Sequence, residues 1–107
     1  MAIFNGSEGK QITLLEAAAL TKKYRDSSSA DATKAHYIGR DIIEAILGQE
    51  GCVGIRMYRA LSADNSAEEQ LVLVGVTKDN MDMTNGIIAD RCIKCPVVCD
   101  VNSDLNS

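Results

Sequence analysis

The chain has no tryptophan, one phenylalanine, one histidine and one proline in its 107 residues, and aromatics make up only 4% of it. Stacking platforms for single-stranded nucleic acid need several surface aromatics among basic residues, and Phe4, Tyr24, Tyr37 and Tyr58 cannot supply one. Positive charge is short as well. Eleven Lys and Arg stand against 15 Asp and Glu, a formal net charge of -4 that repels phosphate backbones, so no nucleic-acid partner is expected. With His36 alone, catalysis by a zinc ion held on several imidazoles is excluded. The longest apolar run of weight, Leu71 to Val76, falls far below the roughly 20 residues of a membrane-spanning helix, so no membrane partner is expected. The N-terminus has no basic start and no apolar run of signal-peptide length, which points to a cytoplasmic protein. The Asn5-Gly6-Ser7 sequon then carries no glycan.

What is present is an ordinary globular composition, 46% hydrophobic and 24% charged, at a length that fits one domain, residues 1–107, with a modest core. Thr13-Leu14-Leu15-Glu16 reads as a capping box, in which the Thr13 hydroxyl and the Glu16 carboxylate satisfy each other's backbone amides, so a helix starts there. Leu14, Ala17, Leu20 and Tyr24 recur at helical steps, and Lys22, Lys23 and Arg25 gather where the helix dipole favours cations, which stops the helix near Asp26. After Ser27-Ser28-Ser29, the residues Ala35, Ile38, Gly39, Ile42, Ile43, Ile46 and Leu47 form a wider stripe that predicts a second helix ending at Gly48, a left-handed cap. His36 falls on its polar side.

From Cys52 the period becomes two, with Val53, Ile55 and Met57 opposed to Cys52, Gly54, Arg56 and Tyr58, which predicts a strand. A polar connection with Asp64-Asn65-Ser66 as its turn leads to Leu71–Val76, apolar on both faces and therefore a central strand. Asn85-Gly86 opens a third strand, Ile87 to about Cys92, and an irregular cysteine-containing tail follows from about residue 93. The expected fold is α+β: an N-terminal helical hairpin packed on a small three-stranded antiparallel sheet. Its core is predicted to hold Leu14, Leu20, Ile38, Ile42, Ile46, Val53, Ile55, Leu73, Val74 and Ile87.

The most informative chemistry is the late cysteine cluster, Cys92, Cys95 and Cys99, with Cys52 at the start of the first strand. Three readings stand: small buried hydrophobes, a labile disulfide, or an all-cysteine zinc site. The favoured one makes Cys52 and Cys92 packing residues and lets Cys95 and Cys99 oxidise across the turn at Pro96, with no cofactor. A thioredoxin-like use of Cys92 and Cys95 lacks the helix that would lower the thiol pKa. Gly48, Gly51 and Gly54 run from helix to strand, the reverse of a dinucleotide loop. Asp79, Asp82 and Asn85 lack the spacing of a calcium loop and read as a solvated turn. Arg56, Asp90 and Arg91 are charges within predicted strands, an ion pair between Arg56 and Asp90 or a grip on an anionic ligand.

The stretches Gly51-Cys52-Val53-Gly54-Ile55-Arg56-Met57-Tyr58, Leu71–Val76 and Ile88-Ala89-Asp90-Arg91, followed by Cys95-Pro96-Val97-Val98-Cys99, resemble a family of small uncharacterised bacterial proteins. The likeness runs from the first helix to the last cysteine, and it implies a free-standing bacterial domain with no activity to carry over. No motif specifies a reaction, so a non-enzymatic binding or assembly module is the expected class. Two helices cover one face of a sheet; the other face calls for a homodimer or a protein partner centred on Tyr58, Ile88 and one row of Leu71–Val76, the alternative being the C-terminal tail folded over it. The competing classes are a thiol-dependent or metal-binding protein using the cysteine cluster, and an enzyme that gathers Arg56, Asp90, Arg91 and Cys52 in one pocket.

Overall fold

A computed structural model describes residues 3–64 and 68–106, so Asn65 and Ser66 of the expected turn lie outside the described residues. The fold is α+β, with two helices and antiparallel strands. In chain order these are α1 (Leu14–Asp26), β1 (Ala35–Tyr37), α2 (Arg40–Leu47), β2 (Cys52–Leu61), β3 (Glu69–Thr77), β4 (Ile88–Ala89) and β5 (Ile93–Cys95). They fall into two compact units, one formed by Met1–Glu8 and Ile38–Cys92, the other by Gly9–Tyr37 and Ile93–Ser107.

The first unit is an antiparallel sheet in the order β2-β3-β4, with α2 against it. Opposed residues of an antiparallel pair share a face, so the register sorts the sheet into two sides. Ile55, Leu71 and Leu73 share one with Ala89; Arg56, Tyr58, Val72, Val74 and Val76 share the other with Ile88. Between Cys52 and Gly54 the register slips by one residue, a bulge at Val53. A bulge reverses the phase of everything before it, so Cys52 joins Ile55 against the core instead of lying opposite to it as strict alternation predicts. Helix α2 supplies the centre of that core: Ile46 is fully buried, packed with Leu73, Ala89 and Cys92, and ringed by Ile38, Ile42, Ile55 and Ile87. Leu73, Val74, Gly75 and Val76 are all buried, which bears out the reading of this strand as central.

One side chain fastens the layers. Gln49, just past α2, donates from Nε2 to the Ile46 carbonyl at 2.9 Å and accepts from the Ile87 amide at 2.8 Å, tying the end of the helix to the approach of β4. Gly48 is right-handed at φ -76 rather than a left-handed cap. The left-handed residue is Gly51 at φ 85, where a side chain would be strained.

The second unit corrects more of the expectations. Helix α1 has the boundaries and the capping box read from Thr13 and Glu16, the Glu16 amide donating to Thr13 Oγ1 at 3.1 Å. Yet it has no buried residue: Leu14 is 58% exposed and Leu20 62%, so neither belongs to the core. The second helix begins at Arg40, because Ala35-His36-Tyr37 are extended and pair with Cys95-Lys94-Ile93. The stripe that began at Ala35 therefore mixed a strand with a helix, and β1 interrupts the expected hairpin of helices. His36 sits half-buried on that strand, not on a helix. Residues 93–95 of the supposedly irregular tail are β5, and the third strand of the first unit shrinks to Ile88–Ala89.

Candidate functional site

Arg56 and Tyr58 stand two residues apart on β2 and therefore point to the same side of the sheet, away from α2. The loop after β3 brings Asp82 up to them, and a bridge between Val76 and Asp82 fixes its backbone. Arg56 Nη1 donates to Asp82 Oδ1 at 2.6 Å, Arg56 Nη2 donates to Asn80 Oδ1, and the Tyr58 hydroxyl donates to Asp82 Oδ2. Asn80 reaches its place through a left-handed backbone, φ 66, a conformation that asparagine tolerates better than most residues. The Arg56 guanidinium also lies 5.9 Å from the centroid of the Phe4 ring.

These contacts set the protonation states. The hydrogen bond from Tyr58, helped by the Arg56 charge, holds the Asp82 carboxyl below its ordinary range. The same bond, with some burial, raises the Tyr58 hydroxyl above its ordinary value. Asp82 is thus a carboxylate with both oxygens engaged and Tyr58 a neutral donor. Such a group orients and binds; neither member is an activated nucleophile or a poised general base.

Beside it, the residues from Phe4 to Glu8 face β2 across an open cleft of about 530 Å³, lined also by Val53 to Met57 and Val76. The Phe4 amide donates to the Lys78 carbonyl at 2.7 Å, and Glu8 accepts from the amides of Asn5 and Gly6, each at 3.0 Å. Those backbone donors lower the Glu8 carboxyl below its ordinary value. Gly6, at φ 92, permits the tight turn, so Asn5-Gly6-Ser7 serves as a structural loop here.

The residues singled out in the sequence do not converge. Arg56 takes Asp82, not Asp90, as its partner; Asp90 and Arg91 are exposed and lie 4.0 Å from each other. Cys52 is on the α2 side of the sheet, its thiol donating to the Gly54 carbonyl at 3.2 Å, whereas Arg56 is on the opposite side. A single pocket of Arg56, Asp90, Arg91 and Cys52 is therefore not formed. Cys92 is buried in the core, and burial raises its thiol above the ordinary value, which disfavours the thiolate. Cys95 and Cys99 form a disulfide with a Cα separation of 4.9 Å. Among the described residues no three His, Cys, Asp or Glu side chains form a metal-holding group. Sequence reading missed Asp82 and Asn80 as partners of Arg56, because both arrive from a loop that the strand period does not reach. The available signal was the Arg56-x-Tyr58 spacing, which aims two polar tips at one point.

Comparison with protein-family models, with curated proteins and with solved structures finds no match to this chain.

Proposed function

We propose that the chain is a small, non-enzymatic cytoplasmic assembly module that forms a homodimer through the side of the β2-β3-β4 sheet opposite α2. The observation that carries this reading is the composition of that side. Tyr58 is 47% exposed and Ile88 52%, on either side of the buried Val74, with an ordered Arg56–Asp82 pair alongside. An aromatic and an aliphatic anchor next to a satisfied polar group is the make-up of an interface core with its rim. Sedimentation of the full chain tests it. The chain should run as a dimer, and Ile88→Asp should turn it into a monomer that keeps its circular-dichroism spectrum. A wild-type monomer across the micromolar range overturns the reading.

A second reading has one specific observation in its favour, the Cys95–Cys99 disulfide beside the exposed Val97. Disulfides in a reducing cytoplasm are usually transient and redox-sensing, so this bond fits a thiol-dependent role. Intact mass with and without reductant tests it, and a chain that never shows the loss of two hydrogens ends it.

A further inference from the structure

The Cys95–Cys99 bond joins two unlike ends. Cys95 closes β5: its backbone pairs with Ala35 in the ladder to β1, its carbonyl accepts from the Lys34 amide at 2.6 Å, and only 7% of it is exposed. Cys99 lies past the turn, outside the strand, and is half-buried. The ring that the disulfide closes also holds Pro96, Val97 and Val98, and the Val98 amide donates to the Lys94 carbonyl at 3.1 Å to tighten the turn. In thiol–disulfide exchange the incoming thiolate, the sulfur it attacks and the departing sulfur share one axis, so access selects the sulfur. At Cys95 an attacker meets packed protein, whereas Cys99 has surface open to solvent. Cys99 is therefore the sulfur attacked, and Cys95 is the leaving group.

Two observations choose the attacker. The ladder to β1 keeps Cys95 in place one turn from Cys99, so its thiol stays at high effective concentration and expels a monothiol that has bonded to Cys99. A dithiol escapes this, because its own second thiol completes the transfer. The neighbouring side chains then favour a protein over a small thiol. Val97 is 92% exposed, more than any other large hydrophobic residue among those described, and Val98 is 68% exposed. Both belong to the disulfide ring itself, so whatever reaches the sulfur meets them. Two open valines offer a protein surface apolar area to cover and offer a small polar thiol nothing.

We propose that Cys95–Cys99 is an exchange site for a protein dithiol, which docks on Val97 and Val98 and attacks Cys99 Sγ. The inference rests on the thiol-dependent reading above and not on the homodimer. One partner thiolate bonds to Cys99 Sγ; the Cys95–Cys99 bond breaks, and its electron pair leaves on Cys95 Sγ, which takes a proton from water. The partner's second thiol loses its proton to water and attacks the partner sulfur of the mixed disulfide, and Cys99 departs as a thiolate that is protonated in turn. Two electrons and two protons pass to the chain, and the partner is oxidised to a disulfide. The probe is a small Cys-x-x-Cys dithiol protein of the thioredoxin type, added reduced to the oxidised full chain. A version with serine at its second cysteine, quenched in acid, should give a mixed disulfide that peptide mass mapping places on Cys99, with Cys95 a free thiol. With the dithiol form the chain should gain two hydrogens. Val97→Ser with Val98→Ser should slow that transfer at least about ten-fold and change the rate with dithiothreitol by less than about three-fold. An adduct on Cys95, Cys52 or Cys92, no adduct at all, or equal slowing with the protein and the small dithiol each overturns the assignment. A chain that never carries the disulfide fails the thiol-dependent reading and takes the inference with it; a chain that carries it and gives one of these results fails the inference alone.

Discussion

The unit containing Ile38–Cys92 packs Ile46 against buried Leu73, Ala89 and Cys92, with half-buried residues of α2 and β2 around them, whereas in the unit containing α1 the only buried residue among those described is Cys95. The second unit is held instead by small devices: the capping box at Thr13 and Glu16 and the Lys22–Asp26 pair at 2.7 Å, both local, the Cys95–Cys99 bond, and one long-range ladder of three residues between β1 and β5. The contrast teaches that a helix can be well punctuated in the sequence and still bury little. Caps and charges decide where a helix begins and ends, and only non-local packing decides what it covers.

Four experiments sharpen that contrast. The largest expected effect is that of Ile46→Ala, which empties the centre of the one packed core and should lower unfolding free energy by about 2 to 5 kcal/mol in urea titrations. Next, reducing Cys95–Cys99 releases a short loop and should cost about 2 kcal/mol by the loop-entropy relation. Amide exchange should then rise in β1 and β5 and stay unchanged in β3; a uniform rise would show that the units do not differ in kind.

A smaller effect concerns pH. Asp82 is lowered in the folded chain, so its contribution is complete above the ordinary carboxylate value of about 4 and is lost as pH falls through the lowered one. Tyr58 is raised, so its contribution is complete below the ordinary tyrosine value of about 10 and is lost as pH rises through the raised one. The gap in urea midpoint between the wild type and Asp82→Asn should therefore stay flat near neutrality and close in strong acid. The smallest effect is expected for Leu20→Ser on exposed α1, within about 0.5 kcal/mol. A loss as large as that for Ile46 would show that α1 is covered in solution.

The same contrast explains what the sequence made legible. The ends of α1, the β2–β3 hairpin, the central place of β3 and the core role of Ile46, Leu73 and Val74 follow from capping and periodicity, which are local rules. Ala35–Tyr37 was hidden because its partner, Ile93–Cys95, lies far away in the chain, and a three-residue strand has no period of its own to show. The burial of Cys52 was inverted by a single extra residue at Val53, an insertion that alternation cannot see. At the site, Arg56 was visible as a charge in a strand, but its partners Asp82 and Asn80 are set by the path of a loop.

The Gln49 clamp has a consequence for how this sequence can change by descent. A methyl group at Gly86 would overlap the Gln49 side-chain oxygen, and one at Gly75 would lie 3.0 Å from both Gln49 Nε2 and Cys52 Sγ. The long amide and the two bare backbones thus share one space: bulk added at either glycine displaces the end of the Gln49 side chain. A lineage that gains alanine at position 86 has to swing the Gln49 amide aside or shorten position 49. It then has to find another acceptor for the Ile87 amide and another donor for the Ile46 carbonyl, so the three positions are expected to drift together.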